Sequence, residues 1–522
     1  EMGLYLCYDI RGIQSFIFRI PKLKYIIGGS ALIDRFDRET ARNMPCDGAE
    51  FLCSGGGKGT YRCRDANAAD RLQRELTQRA HEIGVDIRFG RGEEFAEVSR
   101  EALELYPFEP DQIDGPPCPE SGLYPVAEGM TVHPVVRKRI FDKDKPMFRH
   151  FEHRLKTNNI SLPGVDPSQM AFFHNVSADD DTDQQGGRLG AEALGGRNRW
   201  AVIYMDGNDM GMQLTAMRDR KDVSEEEMTR WVAEMSLALD ACSEEATIRG
   251  IQRVVSEWAA KDDFDPKGKD HVVLPVRPIV VGGDDIVILC HVAHAMTFVK
   301  EAMRVFRTTS VQRQQEATIE LWPATGGEIS ISAGVLYCPV TLPLHTAIDY
   351  AESLLASAKA GGRRHKDPNR KGPSPESVDW EQITDSIVDT PAARRQRELI
   401  FEDADNGETI VKLTTRPCTL EKYEEIEKLS KRYEKCPVSI RHLVLRGLRQ
   451  GFSDRLAFVA EIAKHQPKLA ADITEEGFEF KKKPPRWKYT EQDNKRVQET
   501  DVLDALLILE EKQRMERETI NG

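Results

Sequence analysis

The order β-α-β-β-α-β occurs twice along this chain of 522 residues, and it restricts the fold more than any other feature. The first copy contains "MGLYLCYD", "EFLCSGGGKGTYRCR" and "DANAADRLQRELTQRAHEIG". The second contains "RWAVIYMDGNDMGMQ", "VRPIVVGGDDIVILCHV" and "AHAMTFVKEAMRVFRTT". Alternating or continuous apolar runs predict strands, and apolar residues at helical spacing predict helices. The sequence therefore predicts an α+β protein with two ferredoxin-like domains.

Changes in composition predict four segments. The sequence predicts a first domain over 1–110, an insert and linker over 111–196, a second domain over 197–390 and a helical C-terminal domain over 391–522. The linker contains the acidic and Gly-rich run "SADDDTDQQGGRLGAEALGGRN", which is typical of a connector. The last segment contains runs such as "LEKYEEIEKLSKRYEK" with helical spacing.

Composition excludes several classes of protein. The net charge of −13 argues against a surface coated with nucleic-acid-binding groups, although it leaves room for a local basic groove. We find no run of about 18 apolar residues, so no membrane span is expected. None of the ten cysteines forms a C-x-x-C pair, which favours reduced thiols and a cytoplasmic location over a disulfide framework.

Three aspartates stand where two neighbouring strands of the second copy end. Asp206 ends its first strand, and Asp284 and Asp285 lie at the turn of its hairpin. Because these strands are adjacent in a ferredoxin-like sheet, the carboxylates are expected to converge. Oxygen ligands suit Mg²⁺ or Mn²⁺, and two such ions activate a ribose hydroxyl and neutralise a leaving pyrophosphate. The competing interpretation of "GGDD" is an ordinary hairpin turn.

Residues around the aspartates predict contacts with a nucleotide. Gly282 and Gly283 permit positive φ and a close approach of the backbone to a triphosphate. Gly207 and Asn208 follow Asp206, where a backbone carbonyl is available to complete a metal shell. Lys359 lies near the end of a later helix, where it either binds triphosphate oxygens or simply favours a helix C-terminus. Asp209 is expected either to support the ligands or to be solvated.

These motifs together resemble the large polymerase-like subunit of type III CRISPR effector complexes, which carries two palm domains and a catalytic GGDD turn in the second. The run "DIRGIQSFIFRIPKLKYIIGGSALIDRF" is similar to its first palm, and "SGGGKGTY" to the degenerate turn of that palm. The runs "YMDGNDMG", "VGGDDIVIL", "ISISAGVLYC" and "AESLLASAKAGGRR" are similar to its second palm, which is akin to diguanylate-cyclase domains. The resemblance covers roughly residues 2–390.

The resemblance implies a nucleotidyltransferase of antiviral defence that condenses ATP into cyclic oligoadenylate, with two Mg²⁺ or Mn²⁺ ions. It implies that Asp206, Asp284 and Asp285 are the metal ligands. The residues that it implies face the acceptor nucleotide are Ser54, Gly55, Gly56 and Gly57. Its implied partners are nucleoside triphosphates, crRNA or target RNA, and other effector subunits, and a homo-oligomer is left open.

Two features depart from the family. Many members begin with a histidine-aspartate nuclease domain, but this sequence has no His-Asp dipeptide, so no such nuclease is expected. Many members also carry a four-cysteine zinc ribbon between the palms. In this sequence Cys118 and His133 remain of that pattern, with Ser121 and Val136 at the other places. Two ligands rarely hold structural zinc, so no zinc is expected.

Three functional hypotheses follow from the sequence. The first is the cyclase, either within an RNA-guided complex or as a stand-alone relative. The second is a catalytically silent scaffold subunit that binds nucleotide and RNA. The third is a diguanylate cyclase, which the internal pair of domains disfavours because such enzymes normally pair two single palms.

Overall fold

The structure is a computed structural model, and it describes most of the chain. The described residues are 4–20, 23–95, 98, 134–139, 170–172, 199–220, 223–260, 272–366, 371–383, 389–402, 409–434, 437–448, 464, 488–492 and 495–510. Most of the predicted insert, with Cys118 and His133, lies outside them. The chain divides into two compact units. The first comprises Glu1–Ser332, Cys338–Asp349 and Lys366–Ser374, and the second Ala333–Tyr337, Tyr350–His365 and Pro375–Gly522.

The first unit begins with a ferredoxin-like domain. Its elements are β1 (Leu4–Ile10), α1 (Ile13–Phe18), α2 (Leu23–Arg35), a π-helical turn (Phe36–Ala41), β2 (Ala49–Gly55), β3 (Lys58–Cys63), α3 (Ala66–Ile83) and β4 (Ile87–Gly92). The antiparallel sheet has the order β2-β3-β1-β4, as this topology requires. Asp65 caps α3 by accepting a hydrogen bond from the Ala68 amide, and Gly84 ends it with a φ of 78°.

The second ferredoxin-like domain supplies the rest of the first unit. Two short elements, α4 (Pro134–Arg139) and β5 (Met170–Phe172), precede it. Its elements in this unit are β6 (Arg199–Gly207), α5 (Met210–Arg218), α6 (Glu225–Ala259), β7 (Val272–Leu274), β8 (Val276–Gly282), β9 (Asp285–Cys290), a 3₁₀ turn (Val292–His294) and α7 (Ala295–Glu316). Strand β9 pairs antiparallel with both β6 and β8, while β5 pairs parallel with β7.

The long helix α6 organises this domain. It begins with a capping box in which Ser224 and Glu227 each satisfy a backbone amide of the other. Its apolar residues pack against β8 and α7, and the buried side chains include Trp231, Ile251 and Val254. Burial of such side chains contributes roughly 1.5–3 kcal/mol each, so α6 is a rigid support for the hairpin it contacts.

The second unit contains the middle of β10 (Ile331–Pro339) and the Tyr350–His365 part of α8 (Leu344–His365). Its other elements are β11 (Ser377–Gln382), α9 (Pro391–Glu398), β12 (Ile400–Glu402), β13 (Thr409–Lys412), β14 (Cys418–Thr419), α10 (Leu420–Glu434), α11 (Val438–Leu448), β15 (Lys488–Gln492), β16 (Lys495–Glu499) and α12 (502–510). Strand β11 pairs parallel with β10 and antiparallel with β14. A second sheet has the order β12-β13-β16-β15.

The protein is thus α+β, with two palm domains and a C-terminal helical region. The sequence did not predict the four-stranded sheet that accompanies these C-terminal helices. Among the described residues, none of the helices is both long and apolar enough to cross a bilayer. The cysteines that the structure describes are free thiols, and seven of these eight are buried.

Candidate active site

The ends of β6 and β9 bring the predicted aspartates to one edge of the sheet. Met205 pairs with Ile286 in the antiparallel register. Continuing that register by one residue sets Asp206 opposite Asp285, and directly opposite residues share a face with Cβ atoms about 4.5–5.5 Å apart. A Cβ placed on Gly207 would lie 3.0 Å from the Asp284 Cβ and 3.4 Å from its Oδ2. Asp206 and Asp285 therefore share one face at this strand end, while Asp284 lies beside Gly207, whose Cβ direction is opposite to that of Asp206.

The GGDD hairpin has a two-residue loop that glycine makes possible. Gly282 pairs with Asp285, so Gly283 and Asp284 form the loop. Gly283 has a φ of 59°, as expected of the first loop residue in a type II′ turn. Among the described residues, no atom lies within 4 Å of a Cβ placed on Gly282 or Gly283. This face of the turn is accessible to a ligand.

Helix α6 holds the backbone of this turn from behind. The Gly283 amide donates a hydrogen bond to Asp240 Oδ1 at 2.8 Å. The Ser243 hydroxyl donates to the Gly283 carbonyl oxygen at 2.6 Å. Sequence reasoning missed both helix residues, and the pattern of α6 carries no signal for them, because Ser236 and Glu244 make the same helix face polar.

The loop after β6 is fixed by buried hydrogen bonds. The Asn208 side chain is buried and donates to the Ser330 hydroxyl at 2.8 Å. Asp209 has a φ of 62° and accepts from the Ser374 amide at 2.6 Å and from Lys366 Nζ at 3.1 Å. Burial opposes ionisation of Asp209, but these bonds outweigh it and lower its pKa. Both side chains therefore shape the loop that follows Asp206.

The corresponding turn of the first palm is built from glycine and is held by Asp37. Gly56 and Gly57 form the loop with φ of 60° and 77°. The Gly57 amide donates to Asp37 Oδ2 at 2.6 Å, and the Tyr8 hydroxyl donates to Oδ1 at 3.1 Å. Burial raises the pKa of Asp37 to about 7, although these two hydrogen bonds act in the opposite direction. Ser54 donates to the Asp37 carbonyl oxygen at 2.8 Å.

Strand register corrects the sequence alignment of the two turns. Aligned by sequence alone, "FLCSGGGKGTYRC" and "IVVGGDDIVILC" set glycine at both aspartate positions. In the structure Gly55 pairs with Lys58 as Gly282 pairs with Asp285, so Lys58 occupies the position of Asp285. The physical reason is that a two-residue loop fixes which residues face each other across the hairpin.

The first palm keeps one carboxylate, which cations neutralise. Asp9 pairs with Lys58 across β1 and β3, at the position that Asp206 has in the second palm. Asp9 Oδ2 lies 3.1 Å from Arg11 Nε, and Oδ1 lies 3.9 Å from Lys58 Nζ. Burial raises the pKa of Asp9, although the charges of Lys58, Arg11 and Arg88 act in the opposite direction. This edge of the first palm therefore carries the cations Lys58 and Arg11, whereas the second palm has carboxylates at its corresponding edge.

Two cavities lie between the turns of the two palms. The smaller has a volume of about 130 Å³ and is lined by both turns together with Asp37, Arg38 and Asp240. The larger has a volume of about 650 Å³ and lies beside Lys58 and Asp284. Its apolar wall includes Met210, Leu214, Trp231 and Met235. Ser54, Gly55 and Gly56 line both cavities, so the predicted acceptor turn faces the predicted metal-binding turn.

Lys359 lies in the second unit. It is part of α8 and is partly exposed. Its predicted contact with a triphosphate stays a prediction.

The predicted metal site has suitable ligands but no preformed cluster. Within the described part of the chain, no three or more His, Cys, Asp or Glu side chains are gathered closely enough to hold a metal ion. Asp206, Asp284 and Asp285 nevertheless offer carboxylate oxygens at one strand end, which is the donor type that Mg²⁺ and Mn²⁺ prefer. The residues present fit such an ion in donor chemistry, and its binding stays a prediction.

Comparisons with known proteins agree with this architecture. Residues 199–367 match the family model described as the second palm domain of Cas10/Cmr2. The match spans β6 to the end of α8 and includes the GGDD hairpin. A comparison with curated proteins found no match.

Solved structures of Csm1–Csm4 assemblies are similar at low identity. The cassette in complex with cA4 is 14% identical over 98% of this chain and 70% of that chain, with a TM-score of 0.45. The cassette in complex with pppApA is 13% identical over 97% of this chain and 69% of that chain, with a TM-score of 0.47. The Csm1–Csm4 subcomplex of the type III-A interference complex is 14% identical over 98% and 70%, with a TM-score of 0.44. These values describe a distant likeness. On the family match, residues 199–367 are a second palm domain of the Cas10/Cmr2 kind.

Proposed function

We propose that this protein is a nucleotidyl cyclase that condenses ATP into a cyclic oligoadenylate by metal-assisted phosphoryl transfer in antiviral defence. The observation that carries the proposal is the strand register that sets Asp206 opposite Asp285 with Asp284 against Gly207. A hairpin turn without a function has no need of three carboxylates at one strand end, because like charges repel there. The specific substrate and product follow from the family resemblance.

The residues of this chain divide the work between the two turns. In the proposed reaction Asp206, Asp284 and Asp285 would hold Mg²⁺ or Mn²⁺, and the bound ion would supply acidification of the attacking hydroxyl and neutralisation of the leaving pyrophosphate. The open face of Gly282 and Gly283 admits the donor triphosphate close to the backbone. Positioning and charge then supply most of the rate enhancement, as is general for phosphoryl transfer.

The acceptor nucleotide is proposed to bind at the first-palm turn. Ser54, Gly55 and Gly56 line both cavities between the palms. Lys58 stands where a metal ligand would be, so a side-chain cation is present at that edge in place of a carboxylate. The acceptor side is therefore equipped to bind phosphates without a metal ion of its own.

The test is incubation with each nucleoside triphosphate and Mg²⁺ or Mn²⁺, with and without target RNA, followed by mass analysis of the products. We expect the Asp284→Ala and Asp285→Ala double variant to lose product by at least about 10³-fold, since metal-assisted charge stabilisation is worth several kcal/mol. Its melting temperature should stay close to that of the parent. Glu75→Gln is the matched control, because within the described part of the chain Glu75 pairs with Arg79, one turn along α3, and with no other residue.

The same experiment decides between the cyclase and the silent scaffold. If the parent protein forms no linear or cyclic oligonucleotide under any of these conditions, the cyclase is rejected. Nucleotide binding without turnover, together with crRNA that copurifies, would support the scaffold subunit. Copurification of other effector subunits would support assembly in a CRISPR complex. The molar mass from light scattering would show whether the protein forms a homo-oligomer.

A further inference from the structure

We infer that Asp240 and Asp37 are matched positioning residues, one behind each hairpin turn, and that Arg38 links them. Asp240 lies on α6, and Asp37 lies in the π-helical turn that directly continues α2, so each stands on a helical segment between the first strand and the hairpin of its palm. Each accepts a hydrogen bond from a backbone amide of the turn in front of it. The kinetic part of this inference rests on the proposed function, whereas its structural part does not.

Asp240 controls the direction of the GGDD turn. Its Oδ1 accepts the Gly283 amide at 2.8 Å, while Ser243 on the same helix donates to the Gly283 carbonyl oxygen at 2.6 Å. Both backbone groups of Gly283 are therefore occupied by α6. Because Gly283 immediately precedes Asp284, fixing its peptide groups fixes where the following carboxylates point.

Asp37 supports the turn of the first palm as Asp240 supports the GGDD turn, but it binds the next residue along the loop. It accepts the amide of Gly57, the second loop residue, whereas Asp240 accepts the amide of the first loop residue of its turn. The bond to Gly57 is 2.6 Å long, and Asp37 is 5% exposed. A buried acceptor that satisfies a turn amide holds the turn more firmly than a solvent-exposed one, because its loss leaves the amide unpaired.

Arg38 connects the two supports. Its Nη2 lies 3.5 Å from Asp240 Oδ2, its Nε lies 2.8 Å from Asp34 Oδ1, and its Nη1 lies 3.9 Å from Glu244 Oε2. It directly follows Asp37, so one guanidinium is attached to the backbone of the first support and paired with the carboxylate of the second. Repulsion from the Asp240 carboxylate also contributes to the raised pKa of Asp37. A displacement of either turn is thereby transmitted to the other.

Two substitutions at one position separate the hydrogen bond from the charge. Asp240→Asn keeps an oxygen that accepts from Gly283 and loses the ion pair with Arg38. Asp240→Ala loses both. We expect Asp240→Ala to lower kcat about 10–100-fold with KM for ATP changed less than about 3-fold, since a small misplacement of catalytic groups has effects of this size. Asp240→Asn should recover kcat to within about 5-fold of the parent.

The control is Glu245→Gln. Glu245 lies five residues after Asp240 on α6, and its carboxylate pairs with Arg249. It should leave kcat and KM unchanged. Equal losses of kcat in Asp240→Asn and Asp240→Ala would overturn the role of the hydrogen bond. Unchanged kcat in Asp240→Ala would overturn the positioning role altogether.

Hydrogen exchange of the nucleotide-free protein tests the structural part without any turnover. Asp240→Ala should accelerate exchange in peptides that contain Gly283, and Asp240→Asn should not. Arg38→Gln should accelerate exchange at both the Gly57 and the Gly283 turns. A response at only one turn, or at neither, overturns the link. If the parent makes no product, the cyclase fails while these exchange results still decide the inference.

Discussion

Asp37 is a buried carboxylate whose two oxygens both accept hydrogen bonds, and it makes the stability of this protein depend on pH. Asp37 is buried, and burial raises its pKa from 3.8 to about 7. In the unfolded chain it titrates near its ordinary value. The folded protein therefore holds this proton over a pH range in which the unfolded chain has lost it. Stability that depends on Asp37 is consequently greatest below about pH 4 and falls as the pH rises towards 7.

Asp37→Asn should reduce this fall, because asparagine cannot ionise. Relative to the parent, the variant should gain up to about 4 kcal/mol between pH 4 and pH 8, an upper bound set by the size of the pKa change. Urea midpoints of both proteins across this range measure the effect, and the other titrating groups cancel in the comparison. Parallel pH profiles for the two proteins would show that Asp37 titrates at the same pH in both states.

At the scale of elements, the contact between α6 and α7 depends on a residue without a side chain. A Cβ placed on Gly250 would lie 2.6 Å from Phe298 Cε2, and Phe298 is fully buried. Alanine normally stabilises a helix by up to about 1 kcal/mol over glycine. Here we expect Gly250→Ala to destabilise the protein by about 1–3 kcal/mol, because overpacking outweighs helix propensity.

Gly211→Ala is the matched control for that prediction. Gly211 lies in α5, and among the described residues no atom lies within 4 Å of its added Cβ. It should therefore be neutral or stabilising by up to about 1 kcal/mol. Melting temperatures of the two variants measure the difference. A stabilised Gly250→Ala protein would mean that α6 and α7 separate at little cost.

Elements with strong local patterns were predictable, and the pairing of strands was less so. The apolar alternation of β10 and the capping residues of α6 are visible in the sequence. The C-terminal sheet was missed because β12 has only three residues and because β13 pairs in parallel with β16, which lies far along the chain. The basic run "KKKPPRWKYTEQ" (481–492) predicts a loop from its composition, but Lys488–Gln492 forms a strand of that sheet.

The candidate site shows the same division. The three aspartates and the glycine turn could be named from the sequence, since their residue types and order carry the signal. Their supports, Asp240 and Asp37, lie on helices and contact the turns only through tertiary structure. The one-residue error in aligning the turns arose because sequence similarity does not fix the register of a hairpin, whereas loop length does.

At the scale of the whole molecule, two palms share a backbone plan and differ in charge. Gly12 and Asp209 precede the first helix of each palm with the same φ of 62°. Asp9 corresponds to Asp206 by this alignment. Lys58 occupies the position of Asp285. This difference in charge is the reason why we propose a divalent ion at the GGDD turn and none at the first turn.

This comparison predicts that the first palm can be converted into a metal site. Arg11→Asn with Lys58→Asp gives the first turn the side chains of Asn208 and Asp285 beside the existing Asp9. Electron paramagnetic resonance with Mn²⁺ should then count one more bound ion per chain than in the parent. Arg11→Asn with Lys58→Ala is the control, because it removes both cations and adds no carboxylate, and it should bind as many ions as the parent. If the aspartate variant gains no ion, the correspondence of backbone between the palms does not extend to the geometry that a metal requires, and the charge of Lys58 is not what distinguishes the two turns.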